Sequence, residues 1–376
     1  MQAFSIYIHF PWCVKKCPYC DFNSYVNNNK ISEQKYIEKI LLDFDKSLEF
    51  LLNKKILTSI FWGGGTPSLL SGTAIFTILN YINKKFAFSK NLEITLEVNP
   101  GTIEQDSMLN YRNAGITRIS LGAQSFQNEK LKSLGRIHNN DNIKNTIDNL
   151  TKYFNNFNID LMYGLPNQTV EDAMFDLEQA IYFKPSHISW YNLTIEPNTQ
   201  FFNYKPNLPN EEIIWQIMQH GLKVLKNNNY INYETSAFAK PGYRCVHNLN
   251  YWQYGDYLGL GPGAHSKITN NYNKKINIIR LIKPKSPKNY FNNIIAEQHV
   301  LTKPEIIFEF MLNNLRLKDG FLIKDFVNKT GCSINDIKDR LDTAVHKNLL
   351  KITTYKIKPT VFGRKFLNNL QELFIF

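Results

Sequence analysis

Cysteine is scarce in this chain: five residues in 376, at positions 13, 17, 20, 245 and 332. An odd and sparse set excludes a disulfide framework, and three cysteines within eight residues point to a metal or cluster site in a reducing compartment. Long apolar runs are missing too. No uncharged stretch reaches the roughly 18 to 20 residues of a membrane-spanning helix. The opening run Ser5-Ile6-Tyr7-Ile8-His9-Phe10 is too short for the core of an export signal and has no basic leader. A cytoplasmic protein is therefore expected. Blocks of five or six like charges are absent, although 44 basic and 32 acidic residues leave a net charge of +12. The basic residues are mostly Lys spread among Asn and Ile, as in Lys226-Asn227 and the run from Asn270 to Lys275. That pattern describes a solvated surface, and no nucleic acid is expected as a partner. No repeat of 20 to 50 residues is evident, which argues against a solenoid. A hydrophobic fraction of 43% with 20% charged residues excludes disordered, collagenous and coiled-coil chains.

What is present is alternation. Short β-type runs at Ser5–Ile8, Ser59–Trp62, Glu93–Val98, Arg118–Leu121, Asn158–Met162 and His187–Trp190 are separated by longer helical stretches. Strands alternating with helices predict an α/β fold with a parallel sheet, here a partial (β/α)6 TIM-like barrel over residues 1–205. An elaboration is expected over 206–295. It holds a helix at Glu211–Asn227, a strand at Tyr233–Ala239, an aromatic-rich segment at Tyr243–Ser266 and a basic connector at Arg280–Asn293. Residues 296–376 read as a small winged-helix-like α+β domain, with helices at Pro304–Asn314, Leu322–Thr330 and Ile334–Asn348 and a hairpin at Leu350–Pro359. A packing module and a nucleic-acid reader fit that pattern equally.

Polar and glycine residues gather just after each strand: the cysteine loop, Gly63-Gly64-Gly65-Thr66, Glu97-Val98-Asn99-Pro100, Gln124-Ser125, and Asp160 with Tyr163-Gly164-Leu165-Pro166. In barrels the C-terminal strand ends build the site, so these residues are expected to converge on one mouth. The loop Cys13-x-x-x-Cys17-x-x-Cys20 supplies three soft thiolates, which suit an iron–sulfur cluster, zinc or copper(I). Structural zinc normally takes four protein ligands. A 4Fe–4S cluster held by three cysteines keeps one iron open for chemistry. A zinc knuckle completed by a distant residue is the alternative. Glycines at 64 and 65 permit close backbone approach, whether to a ligand or within a tight turn.

The cysteine spacing, set after a strand and followed by a glycine-rich second strand end, resembles the radical S-adenosylmethionine (SAM) superfamily over at least residues 5–266. The resemblance implies an open iron that chelates the amino and carboxylate groups of SAM, and a 5′-deoxyadenosyl radical on reductive cleavage. Several strings resemble the branch that contains oxygen-independent coproporphyrinogen dehydrogenases and heme chaperones of the HemW type. They are Tyr7-Ile8-His9-Phe10-Pro11-Trp12-Cys13, Gly64-Gly65-Thr66-Pro67, Glu97-Val98-Asn99-Pro100, Gly122-Ala123-Gln124-Ser125-Phe126, Arg136, Asp160–Pro166, His247-Asn248-x-x-Tyr251-Trp252 and Gly261–Ser266. By that resemblance Gly64, Gly65 and Thr66 flank the methionine amino group of SAM. Glu97 and Asp160 accept from its amino or ribose groups, Gln124 donates and accepts, Arg136 pairs with its carboxylate, and Tyr7 lines the same pocket.

Within the branch, the dehydrogenases place a further Cys where this chain has Phe22, and they carry an N-terminal extension before the first strand. Cys20-Asp21-Phe22-Asn23-Ser24 and the His247-Asn248-x-x-Tyr251-Trp252 string look like the chaperone type. The resemblance implies a heme-binding protein that hands heme to membrane heme proteins, respiratory ones included, with transient contact at the membrane surface. Coproporphyrinogen dehydrogenation and radical modification of RNA are the alternatives. His247, two positions from Cys245 and among Tyr243, Tyr251, Trp252 and Tyr254, is the candidate heme ligand. The bland reading of the same segment is a loop-capping histidine among core aromatics. Cys332, in a turn at a helix start, is assigned no chemistry.

Overall fold

The computed structural model describes residues 3–26, 32–52, 55–101, 105–272, 275–294 and 297–376. Six parallel strands run in chain order through one large sheet: β1 (Ala3–Phe10), β2 (Ile56–Gly64), β3 (Phe88–Val98), β4 (Arg118–Gln124), β5 (Phe157–Tyr163) and β6 (His187–Asn192). All six fall where the sequence pattern places them. Helices α1 (Glu33–Leu48), α2 (Gly72–Lys85), α3 (Gln105–Ala114), α4 (Asn140–Leu150) and α5 (Val170–Tyr182) form the crossovers, and α6 (Glu211–Asn227) follows β6. Most start at a polar cap. Ser32, Ser71, Asn139, Thr169 and Asn210 each accept a hydrogen bond from the backbone N–H three residues on, which satisfies a donor the helix itself cannot.

A strand turns successive side chains to opposite faces. One face of these strands is apolar and packs with the helices: Phe4, Ile6 and Ile8, then Ile60 and Trp62, Ile94 and Leu96, Ile119 and Leu121, Ile159 and Leu161. Most intervening positions are polar or small, among them Ser5, Ser59, Glu97, Ser120, Gly122 and Asp160, with Phe61 a large apolar exception. Parallel strands buried on both faces usually read as unbroken apolar runs. Here the second face borders an internal cavity, and the alternation records it.

The later segment extends the sheet at both ends. The expected strand Tyr233–Ala239 is broken by the turn at Glu234–Ser236 into two short strands, Ile231–Asn232 and Ala237–Ala239, and the second pairs antiparallel with β6. Helix α7 (Val246–Trp252) follows. Strand β7 (Asp256–Leu260) then pairs parallel with β1, and β8 (His265–Tyr272), β9 (Lys275–Ile282) and β10 (Glu297–Val300) continue antiparallel. The basic connector thus begins as a strand.

Buried ion pairs hold this addition. Asp256 receives Lys55 and Lys267, with the Thr269 hydroxyl donating at 2.6 Å. Asp43 pairs with Lys283 at 2.5 Å and accepts from Gly261 N and the Tyr290 hydroxyl. Helices α8 (Lys303–Asn314), α9 (Ile323–Thr330) and α10 (Lys338–His346) close a second core around Phe310, Phe326, Leu341 and Ile357. Beside them lies a three-stranded sheet made of the hairpin Leu350–Ile352/Lys356–Pro359 and Phe321–Leu322. Among the described residues no helix is long and apolar enough to cross a membrane.

Candidate functional site

At the C-terminal ends of the strands lies a cavity of about 610 Å³. It brings together Cys13, Cys17, Cys20, Gly64, Gly65, Thr66, Glu97, Gln124, Arg136 and Asp160, residues spread over some 150 positions of chain.

The cysteine loop is pinned on both sides. Tyr25 N donates to Pro11 O at 2.7 Å, and the Lys16 ammonium bonds the carbonyls of Phe22 and Ser24. Asn23 donates to the carbonyls of Pro262 and Lys285. His9, on β1, reaches back with Nε2 to Asn23 O at 2.8 Å, so Nδ1 is left to accept the Tyr7 hydroxyl at 3.0 Å. Burial pushes the Cys13 and Cys20 thiols up, and the charges of the neighbouring cysteines add to this. Three thiols lining one space suit a cluster whose irons would neutralise them as thiolates. Among the described residues no group of three His, Cys, Asp or Glu is gathered as a site for a single metal ion. Three loop thiolates suit a 4Fe–4S cluster with one open iron, whereas structural zinc normally takes four protein ligands.

Gly64 adopts φ +114°, and a side chain there would strike the His9 imidazole at 2.6 Å; at Gly65 a Cβ would run into the Trp12 carbonyl. These glycines let β2 end against the base of the cysteine loop, where Gly65 N and Thr66 N bond Phe10 O and Trp12 O at 2.7 Å each. Gly64 N also donates to Glu97 Oε2 at 3.2 Å. Burial, with Asp160 nearby, pushes the Glu97 carboxyl up to about 8. Asp160 accepts from Ser120 Oγ at 3.0 Å and Asn158 Nδ2 at 2.8 Å, yet burial still raises it. Gln124 sits at φ 69°, where β4 slips register against β5, and its Oε1 accepts from the Tyr191 hydroxyl at 2.9 Å. A non-glycine residue held left-handed at a strand end is a mark of functional sites.

Arg136 ties the parts together. Nη2 donates to Asn99 Oδ1 at 2.6 Å and Gly122 O at 3.1 Å, and Nη1 reaches Cys17 Sγ at 3.6 Å. Asn99 Nδ2 in turn donates to Thr66 Oγ1 at 2.8 Å. Asn99, Tyr191 and His9 were not singled out from the sequence. Asn99 and His9 carried a signal, since both lie inside the strings quoted above. Tyr191 carried none.

Two expected residues lie elsewhere. Neither Tyr7 nor His247 lines the cavity. His247 Nδ1 is 3.2 Å from Ser59 Oγ, and its ring packs 5.0 Å from Phe61 and 6.3 Å from Tyr7. The cause is Glu93, whose Oε1 takes the N–H groups of Val246 and His247 and the Cys245 thiol at the start of α7. Burial and Glu93 push that thiol up to about 12. Nor are the aromatics of 243–254 gathered as one flat pocket. Tyr254 is in the second core bonded to Glu309, Tyr251 packs on Tyr257, Tyr243 is exposed, and Trp252 alone of the four lines the cavity.

The model of the radical SAM superfamily matches residues 7–180, and that of the HemN C-terminal domain matches 301–366. The chain is 46% identical to the heme chaperone HemW of Haemophilus influenzae over 100% of this chain and 98% of that protein. It is 43% identical to the Escherichia coli heme chaperone HemW over 100% and 99%. Among solved structures, coproporphyrinogen III oxidase (HemN) from Escherichia coli superposes with a TM-score of 0.82 at 23% identity, over 99% of this chain and 90% of that one, a likeness of fold. With these full-length identities and the three-cysteine cavity at the strand ends, the chain belongs to the HemW family of radical SAM proteins.

Proposed function

We propose that this protein is a heme carrier: it holds a 4Fe–4S cluster and SAM at the strand-end cavity, binds heme, and passes heme to membrane heme proteins from the cytoplasm. The observation that carries the reading is the full-length identity of 43–46% to heme chaperones, with Phe22 standing at the cavity where a dehydrogenase-type Cys is expected. In this reading Cys13, Cys17 and Cys20 ligate the cluster. Gly64, Gly65 and Thr66 approach the SAM amino group, Glu97 and Asp160 accept from its donors, and Gln124 and Arg136 hold its polar end. Arg136 also donates from Nη1 to the Cys17 sulfur. Tyr7 acts one step back, by fixing His9 and through it the end of the cysteine loop. When bound and reduced, a cluster with an open iron supplies an adenosyl radical from SAM. Residues 1–205 form the radical SAM unit, 206–295 the elaboration and 296–376 the C-terminal unit.

His247 lies outside the cavity, with Nδ1 beside Ser59 Oγ and its backbone N–H held by Glu93. His247→Ala is therefore expected to leave heme affinity within about twofold of wild type, and a loss of tenfold or more would place the iron ligand there. The test of the function is anaerobic incubation of the reconstituted protein with heme, or with coproporphyrinogen III, SAM and reductant. About one heme per chain and no consumption of coproporphyrinogen are expected. Sustained formation of protoporphyrinogen would replace this reading with the dehydrogenase.

A further inference from the structure

Arg316 stands two residues past the end of α8, in the C-terminal part of the chain, yet it lines the strand-end cavity beside Trp252, the last residue of α7. The junction is built. Asn313 Nδ2 donates to Tyr251 O at 3.3 Å, and Lys318 N donates to Tyr233 O at 3.0 Å, so one side-chain and one backbone contact on either side of Arg316 fix its approach. The guanidinium lies over the indole of Trp252 at 4.3 Å. Glu234, almost wholly buried, holds one edge: Arg316 Nη2 donates to Glu234 Oε2 at 3.4 Å. A guanidinium offers five N–H donors in one plane, and among the described residues that long bond is its only side-chain hydrogen bond. Nε is buried without an acceptor, and so is the neighbouring Trp252 Nε1. Buried donors of this kind are costly to leave unpaired. A cation on a cavity-lining residue, oriented by a ring below and a carboxylate at one edge, with no hydrogen-bond partner for Nη1 among the described residues, is a preorganised anion receptor, and its planar fork matches a carboxylate.

We propose that Arg316 is a ligand-binding residue, positioned by Trp252 and Glu234, that pairs with a carboxylate of the molecule occupying the cavity, and that this carboxylate is a heme propionate. The inference rests on the heme-carrier reading above. SAM is the other source of a carboxylate in this cavity, and the test separates the two.

Heme and heme dimethyl ester, whose propionates are blocked, are titrated by absorbance into the anaerobically reconstituted full-length protein and into its R316Q variant. Wild type is expected to bind heme about tenfold tighter than the ester, the size of one charge-assisted hydrogen-bonded pair. In R316Q heme affinity falls about tenfold to the level of the ester, ester affinity stays put, and SAM affinity is unchanged. The double variant E234Q/R316Q, which leaves no unpaired buried charge, gives the same pattern if R316Q folds poorly. Equal loss for heme and ester, or no loss for either, overturns the subsite. So does a loss of SAM affinity with heme unaffected, which would assign Arg316 to the cofactor. Wild type that binds neither heme nor ester refutes the heme-carrier reading itself, whereas heme bound equally by wild type and R316Q refutes only the role of Arg316.

Discussion

Glu97 is a cavity group whose protonation responds to what enters. With its carboxyl raised to about 8, it is mostly protonated at pH 7 before SAM binds. Such a group favours the folded state fully below the ordinary carboxylate range, and that contribution is lost as pH rises through about 8. SAM brings a sulfonium, and positive charge beside Glu97 draws the proton off. SAM binding is expected to release a proton at pH 7 and to tighten from pH 6 to 8, then level off. Calorimetry in two buffers of different ionisation enthalpy measures the release, and Glu97→Gln lowers it by the share that Glu97 contributes, leaving the proton lost by the amino group on coordination. Cys17→Ser is expected to remove the cluster absorbance and iron; full iron content in that variant would refute the ligand set. These residues were legible because spacing and strand-end position mark them locally. Asn99 hid in plain sight within such a string. Tyr191 and Arg316 were not legible, because their place depends on which distant elements pack together, and no local pattern encodes that.

The same divide holds for elements. The six parallel strands could be read because their polar cavity face imposes a period of two. Strand β7 could not: all five of its residues, Asp256 to Leu260, are buried, and no alternation survives. The Tyr233–Ala239 run looked continuous, but Glu234 turns back to accept from Ser236 N and splits it. What seats β7 is ionic. Burial alone would raise the Asp256 pKa, but Lys267 and Lys55 outweigh it and hold the carboxyl well below its usual range. Its stabilising contribution is therefore present above the ordinary carboxylate pKa and is lost as pH falls below it. Asp256→Ala leaves two buried ammoniums without a counter-charge and is expected to cost about 3–5 kcal/mol by denaturant unfolding. A loss under 1 kcal/mol would mean that water reaches the lysines.

At the scale of the whole molecule, the net charge of +12 suits attraction to anionic surfaces. Heme transfer to vesicles bearing anionic lipid is expected to slow severalfold between 50 and 300 mM salt, roughly the range over which screening shortens from about 14 to 6 Å. Transfer indifferent to salt and to lipid charge would remove any role for that excess. The architecture has its own temporal consequence. Strand β1 is flanked by β7, made some 250 residues later, and Asn23 at the end of the cysteine loop is held by the carbonyls of Pro262 and Lys285. A nascent chain halted before residue 262 already contains all three loop cysteines but neither carbonyl that fixes their loop. Stable iron loading therefore belongs after synthesis has passed Lys285. Ribosome-bound chains stalled at residue 250 should take up labelled iron that a chelator strips at once, while released full-length chains retain it.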